Sequence, residues 1–136
     1  MQAYPARAAQ TYLQTHVQSR SPLELVVMLY DGLLRFLGEA ATAIDAGNVA
    51  GRRDAVSRAL AVLSELQSTL NMDKGGEVAT SLDALYTYVN GRLLDASLNN
   101  DRAPLDESAR LLRTLRDAWA EISTRDVGPA AGGAQR

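Results

Sequence analysis

The sequence predicts an all-α chain folded as an antiparallel four-helix bundle with a short N-terminal helical cap. Alanine and leucine dominate its 136 residues, with no Val/Ile/Thr alternation of the kind strands need. Apolar residues recur at helical spacing in four long segments, and only short polar turns separate them. Short turns force each helix to fold back on the one before it.

The first helix is the most explicitly written. Ser21 can cap it, Pro22 occupies the first helical position, and Glu24 falls three residues after the cap, which is a capping box with proline at its favoured place. The helix runs to Asp45 and stops at Ala46-Gly47-Asn48. The second runs from Val49 to Leu70, with Asn48 as its N-cap. Asn71-Met72-Asp73-Lys74-Gly75-Gly76 reads as a turn, and the third helix runs from Glu77 to Asn99. After a second polar turn the fourth runs from Pro104 to Ser123. Bundle helices of this length span roughly 30–36 Å. Residues 1–20 are expected as a cap and linker, with a short helix over Ala6 to Leu13. Residues 21–125 form the bundle, and 126–136 are expected as a disordered tail.

Rotating about 100° per residue assigns the core stripes. They are Val26, Leu29, Tyr30, Leu33, Leu37, Ala40 and Ile44 in helix one, and Val49, Val56, Ala59, Leu60, Leu63, Leu66 and Leu70 in helix two. Helix three offers Val78, Leu82, Leu85, Val89, Leu93 and Ala96. Helix four offers Leu105, Leu112, Leu115, Trp119 and Ile122. Each buried Leu or Val contributes roughly 1.5–3 kcal/mol, enough together for one stable core.

Composition narrows the function. There are no cysteines, so disulfides and cysteine metal sites are excluded. The net charge is −2 with no basic block, which argues against a nucleic-acid partner. No apolar run is long enough to insert in a membrane, and the N-terminus lacks the charged start and apolar stretch of a secretory signal. A cytoplasmic location is expected. The single histidine, His16, lies in a linker. It cannot supply the paired Glu-x-x-His ligands of a di-iron bundle, and it lacks the mid-helix position of a phosphorelay histidine. Gly75-Gly76 is not followed by the Lys-Ser/Thr of a phosphate loop. No cofactor, no metal and no enzymatic activity are expected.

What remains is surplus apolar helix surface. Leu23, Val27, Leu34 and Ala41 lie beside the core stripe of helix one, and Leu25 and Phe36 extend its other side. The apolar arc covers over half of the circumference, where roughly 100–140° would suffice. On helix three, Gly91, Leu94 and Leu98 fall nearly opposite Val78, Val89 and Ala96. Such flanks can be covered by the N-terminal segment, by a second copy in a weak homodimer or self-assembled scaffold, or by an amphipathic partner helix.

Three segments resemble one family in the same order. Ser21 to Gly32 is similar to the start of the first helix in the FliS family of flagellin export chaperones. Leu70-Asn71-Met72-Asp73-Lys74-Gly75-Gly76-Glu77-Val78-Ala79 is similar to its turn between helices two and three, with Leu82 to Val89 and Leu93 to Ser97 following in register. Asp117-Ala118-Trp119 resembles the end of its last helix. The resemblance spans Tyr4 to Ile122. It departs from the pattern at Asn90-Gly91-Arg92, where the family often carries paired basic residues. The resemblance implies a cytoplasmic chaperone that binds the disordered C-terminal region of flagellin, prevents premature polymerisation and helps deliver it to the flagellar type III export apparatus. It also implies secondary partners, an export gate and an anti-sigma factor. The residues expected to carry partner binding are Tyr4, Tyr12 and Leu13 in the cap, Leu23, Val27 and Leu34 on helix one, and Leu94 and Leu98 on helix three.

Overall fold

The computed structural model describes residues 21–126. The expected cap over residues 1–20, including Tyr4, Tyr12 and Leu13, lies outside them, as do tail residues 127–136. The described residues form α1 (Pro22–Asp45), α2 (Val49–Ser68), α3 (Met72–Asn99) and α4 (Ala103–Asp126), with no strand among them.

α1 keeps the expected bounds because both ends are satisfied locally. Ser21 Oγ accepts from the Glu24 amide at 3.1 Å, and Glu24 Oε1 accepts from the Ser21 amide at 2.9 Å. At the far end Gly47 takes φ +68°, the left-handed conformation that ends helices at glycine. Asn48 caps α2 through the Gly51 amide at 2.9 Å. Asn100, itself left-handed, ends α3.

The boundaries differ from expectation at three places. α2 stops at Ser68, two residues early. The span 71–76 is not a plain turn. Asn71 caps one helical turn, Met72 to Gly75, through the Lys74 amide at 2.9 Å. Gly76 then breaks the helix at φ 56°, ψ −131°, and regular α3 resumes after it. α4 continues to Asp126, one residue into the expected tail.

Each helix packs against its two neighbours around a square, α1 on α2 and α4, and α3 on α2 and α4, with α1 closer to its neighbours than α3 is. Cross-helix pairs show the antiparallel register. Arg116 at the middle of α4 meets Asp31 at the middle of α1 at 2.7 Å, and Arg102 before α4 meets Asp45 at the end of α1. Gln67 of α2 donates to Asp83 Oδ1 of α3 at 2.8 Å, and Arg52 donates to Asn100 at 2.8 Å. Across the diagonal, the hydroxyls of Tyr30 and Tyr86 share a buried hydrogen bond of 2.7 Å.

Most of the expected stripe is the core, with Leu29, Tyr30, Leu33, Leu37, Leu63, Leu66, Val89, Leu93, Leu105 and Leu112 almost wholly buried. Three assignments are corrected. Val49 is 47% exposed, Val78 65% and Ile122 40%. Val49 opens its helix, while Val78 and Ile122 stand one position before Ala79 and Ser123, which take the inward place at those levels at 3% and 4% exposed. Tyr86, Ala55, Val62 and Ala79 are buried in addition to the expected set.

Candidate partner-binding surfaces

The antiparallel order gives the bundle two unlike ends. The first gathers the α1–α2 and α3–α4 connections, closed by Arg102–Asp45, Arg102–Asp106 at 3.2 Å, Arg52–Asn100 and the Asp101 carboxylate on the Ala103 amide at 3.0 Å. The second gathers the start of α1, the α2–α3 connection and the end of α4, and among the described residues no ion pair closes it.

This second end holds a crevice of about 220 Å³. Leu23 and Val26 of α1, Leu66 and Leu70 of α2, Leu82 of α3 and Trp119 of α4 form its walls, and Tyr86 lines it too. All of these are apolar or aromatic, so the crevice suits an apolar side chain. Burial pushes the Tyr86 phenol far up, and hydrogen bonding to Tyr30 adds to that. Burial also raises Tyr30, against a weaker lowering by Tyr86 and the nearby Trp119. The Trp119 indole N–H approaches Tyr30 but completes no hydrogen bond among the described residues. Both phenols therefore stay neutral at ordinary pH, and the crevice carries no charge from them.

A second apolar surface runs on the outer face of α3. Thr87 faces α2, accepting from Gln67 at 3.1 Å. Leu94 and Leu98 lie about two and three turns further along the same side, 44% and 82% exposed. Gly91 sits between them and Thr87, and a Cβ added there would meet nothing within 4 Å. The chain's own packing therefore does not require glycine at that position. On the opposite flank of α3, Tyr88 donates to Glu107 of α4 at 2.6 Å and Arg92 pairs with the same carboxylate at 2.8 Å. The Tyr88 hydroxyl, then Arg92, hold the Glu107 carboxyl below its usual range.

The expected binding residues thus fall in separate places. Leu23 is a crevice wall. Val27 lines a shallow groove between α1 and α4 with Met28 and Ala120. Leu34 is half-buried against the core. Leu94 and Leu98 stand together on α3, about 18 and 24 Å along the helix from the crevice wall at Leu82. Periodicity assigns the crevice residues Leu66, Leu70, Leu82 and Trp119 to the core. What could have singled them out is their shared position at one end of the antiparallel order. Among the described residues no cluster of His, Asp or Glu could hold a metal ion, and no helix is long and apolar enough to cross a membrane.

The profile of the family described as "Flagellar protein FliS" matches residues 5–126. The chain belongs to the FliS family. The flagellar secretion chaperone FliS of Salmonella typhimurium is 37% identical over 86% of this chain and 87% of its own length. The chaperones of the same name from Escherichia coli and Bacillus subtilis are 35% and 34% identical, over 87% and 81% of this chain and 90% and 81% of their own. This is a family of flagellar secretion chaperones and not of enzymes. The apolar crevice and the outer α3 face therefore belong to a member of a family of flagellar secretion chaperones.

Proposed function

We propose that this protein is a cytoplasmic export chaperone for flagellin. It binds flagellin's disordered C-terminal region, keeps it from polymerising early, and helps deliver it to the flagellar type III export apparatus. The observation that carries this reading is the placement of Leu94 and Leu98. They are large apolar side chains left outside the core on one helix face, in a family of secretion chaperones. A client segment that folds into an amphipathic helix would cover them with anchors one and two turns apart. The crevice, bordered by Leu23, would take a further side chain of the same client. Covering flagellin's terminal segment would block its pairing with a neighbouring flagellin. An export gate and an anti-sigma factor are secondary partners on this reading. Tyr4, Tyr12 and Leu13 would join the binding surface from the N-terminal segment.

The test is calorimetric titration with a peptide of the C-terminal region of the same organism's flagellin. One-to-one binding is expected, with a negative heat-capacity change and a gain in helix signal, since ordering and apolar burial occur together. Leu94→Asp should weaken that binding at least about tenfold, or about 1.4 kcal/mol, with helix content unchanged. A protein that ignores the peptide at high micromolar concentration, and self-associates in light scattering instead, would be a homo-oligomeric scaffold.

A further inference from the structure

The connection between α2 and α3 is built as a separate piece. Thr69 and Leu70 tie it to α2, their amides donating to the Glu65, Leu66 and Gln67 carbonyls. Leu70 packs on the core. From Asn71 to Gly75 the chain makes one self-capped turn. Asn71 Oδ1 accepts from the Lys74 amide at 2.9 Å, and the Asn71 carbonyl accepts from the Gly75 amide at 2.7 Å. Both bonds close within the turn. Gly76 then takes a positive φ with ψ −131°, a conformation that essentially only glycine occupies.

This turn lies at the crevice. Asn71 and Gly75 line it together with Val78, Ala79 and Leu82. Ala79 is 3% exposed although every other residue from Asn71 to Ser81 is exposed. Gly75 rests on it so closely that an added Cβ would come within 2.6 Å of the Ala79 Cβ. The turn buries little apolar surface of its own, since Met72, its one large apolar residue, is 48% exposed. Lifting it would expose little beyond Ala79, so a local opening here would be less costly than one in the core.

We propose that residues 71–75 form a strap across the rim of the crevice. The seat of Gly75 on Ala79 holds it down, Leu70 anchors it, and it lifts about Gly76 to deepen the crevice for an incoming apolar side chain. Gly76 is the joint because its backbone is the one interruption of helical geometry in α3. Gly75 is the latch because only a residue without Cβ can sit on Ala79.

Two substitutions separate a latch from a simple turn. Gly75→Ala adds the obstructing Cβ and should hold the strap up, and adding Ala79→Gly gives the space back. Backbone amide hydrogen exchange on the full free chain reads the difference. In Gly75→Ala the amides of residues 79–83 should exchange about tenfold faster than in the unsubstituted protein, while those of residues 93–96 stay within about twofold. In the double variant, residues 79–83 should return to within about threefold. Unchanged exchange in Gly75→Ala, an equal rise along all of α3, a loss of helix signal, or a failure of Ala79→Gly to restore protection would each overturn the strap. The lifting by a client side chain rests on the chaperone reading above. A flagellin peptide that does not bind defeats that reading, while the exchange pattern of the free chain still decides the strap.

Discussion

The two ends of the bundle are made from the same kinds of helix and do opposite things. At the closed end, charged and polar side chains reach across the connections. Arg102 joins the end of α1 to the start of α4, and Arg52 joins the start of α2 to the end of α3. At the other end the described residues that meet are Leu23, Leu66, Leu82 and Trp119, and they surround a crevice instead of filling one another. Exposed ion pairs contribute little net stability, so the closed end is not favoured by its charges. Its advantage is that the α1–α2 and α3–α4 connections are tight and fix the helix spacing. At the other end the self-capped turn and the break at Gly76 interrupt the helical geometry before α3 resumes.

The sharpest way to break that comparison is to truncate one leucine at each end. Leu37, in the closed half of α1, is 2% exposed. Leu37→Ala should cost about 2–5 kcal/mol, read as a shifted urea midpoint, because the fully enclosed site cannot collapse around the loss. Leu82 is half-buried at the crevice wall, so Leu82→Ala should cost about 1–2 kcal/mol, below the usual range for buried leucines. The order should reverse for client binding, where only Leu82→Ala removes a wall of the crevice. Equal losses of stability would mean that the two ends are packed alike.

That asymmetry was only half legible in the sequence. The helix boundaries near 45, 49 and 99 follow from caps that act over three or four residues, so the local sequence alone could find them. The core stripes of the helix centres were legible for the same reason, since every residue there has neighbours on two sides. Val49, Val78 and Ile122 carry the same periodic signal, yet they are exposed, because near the helix ends the stripe does not fix which of two adjacent residues turns inward, Val78 or Ala79, Ile122 or Ser123. Tyr86 went the other way. Its hydroxyl makes it look like a surface residue, and only a partner far along the chain, Tyr30, lets it be buried. The crevice was hidden for a related reason. Its walls are core-type residues, and nothing local to any one helix tells a filled end from one that surrounds a crevice. The Gly75-Gly76 pair announced a turn, but not that the first glycine is required by contact with Ala79 and the second by its backbone angle.

The Tyr30–Tyr86 pair marks where the two ends meet, at the base of the crevice, and removing one hydroxyl sharpens the boundary. Tyr86→Phe leaves the buried Tyr30 hydroxyl without its partner and should cost about 1–3 kcal/mol. Replacing both tyrosines by phenylalanine should cost less than the two single changes added together, because the second change removes the unpaired group. Strict additivity in urea denaturation would show that each phenol is satisfied independently, for instance through a rearranged Trp119 indole. It would also detach the crevice base from the core.

The smallest effect is expected where α3 meets α4 through Glu107. Hydrogen bonds from Tyr88, then Arg92, depress its folded pKa below the ordinary carboxylate value. A depressed carboxyl contributes stability that is present above its unfolded pKa of about 4.3 and is lost as pH falls through the lower folded value. The unfolded chain binds the proton first, so acid favours unfolding. Because this site is open to solvent, the contribution is slight and should shrink further in salt. Glu107→Gln should therefore lower stability a little at pH 7 and flatten its decline between pH 5 and pH 3, compared with the unsubstituted protein in the same denaturant titration. An unchanged acid slope would mean that Tyr88 and Arg92 gain nothing from the charge. The α3–α4 seam would then owe its hold to the apolar core and not to this carboxylate.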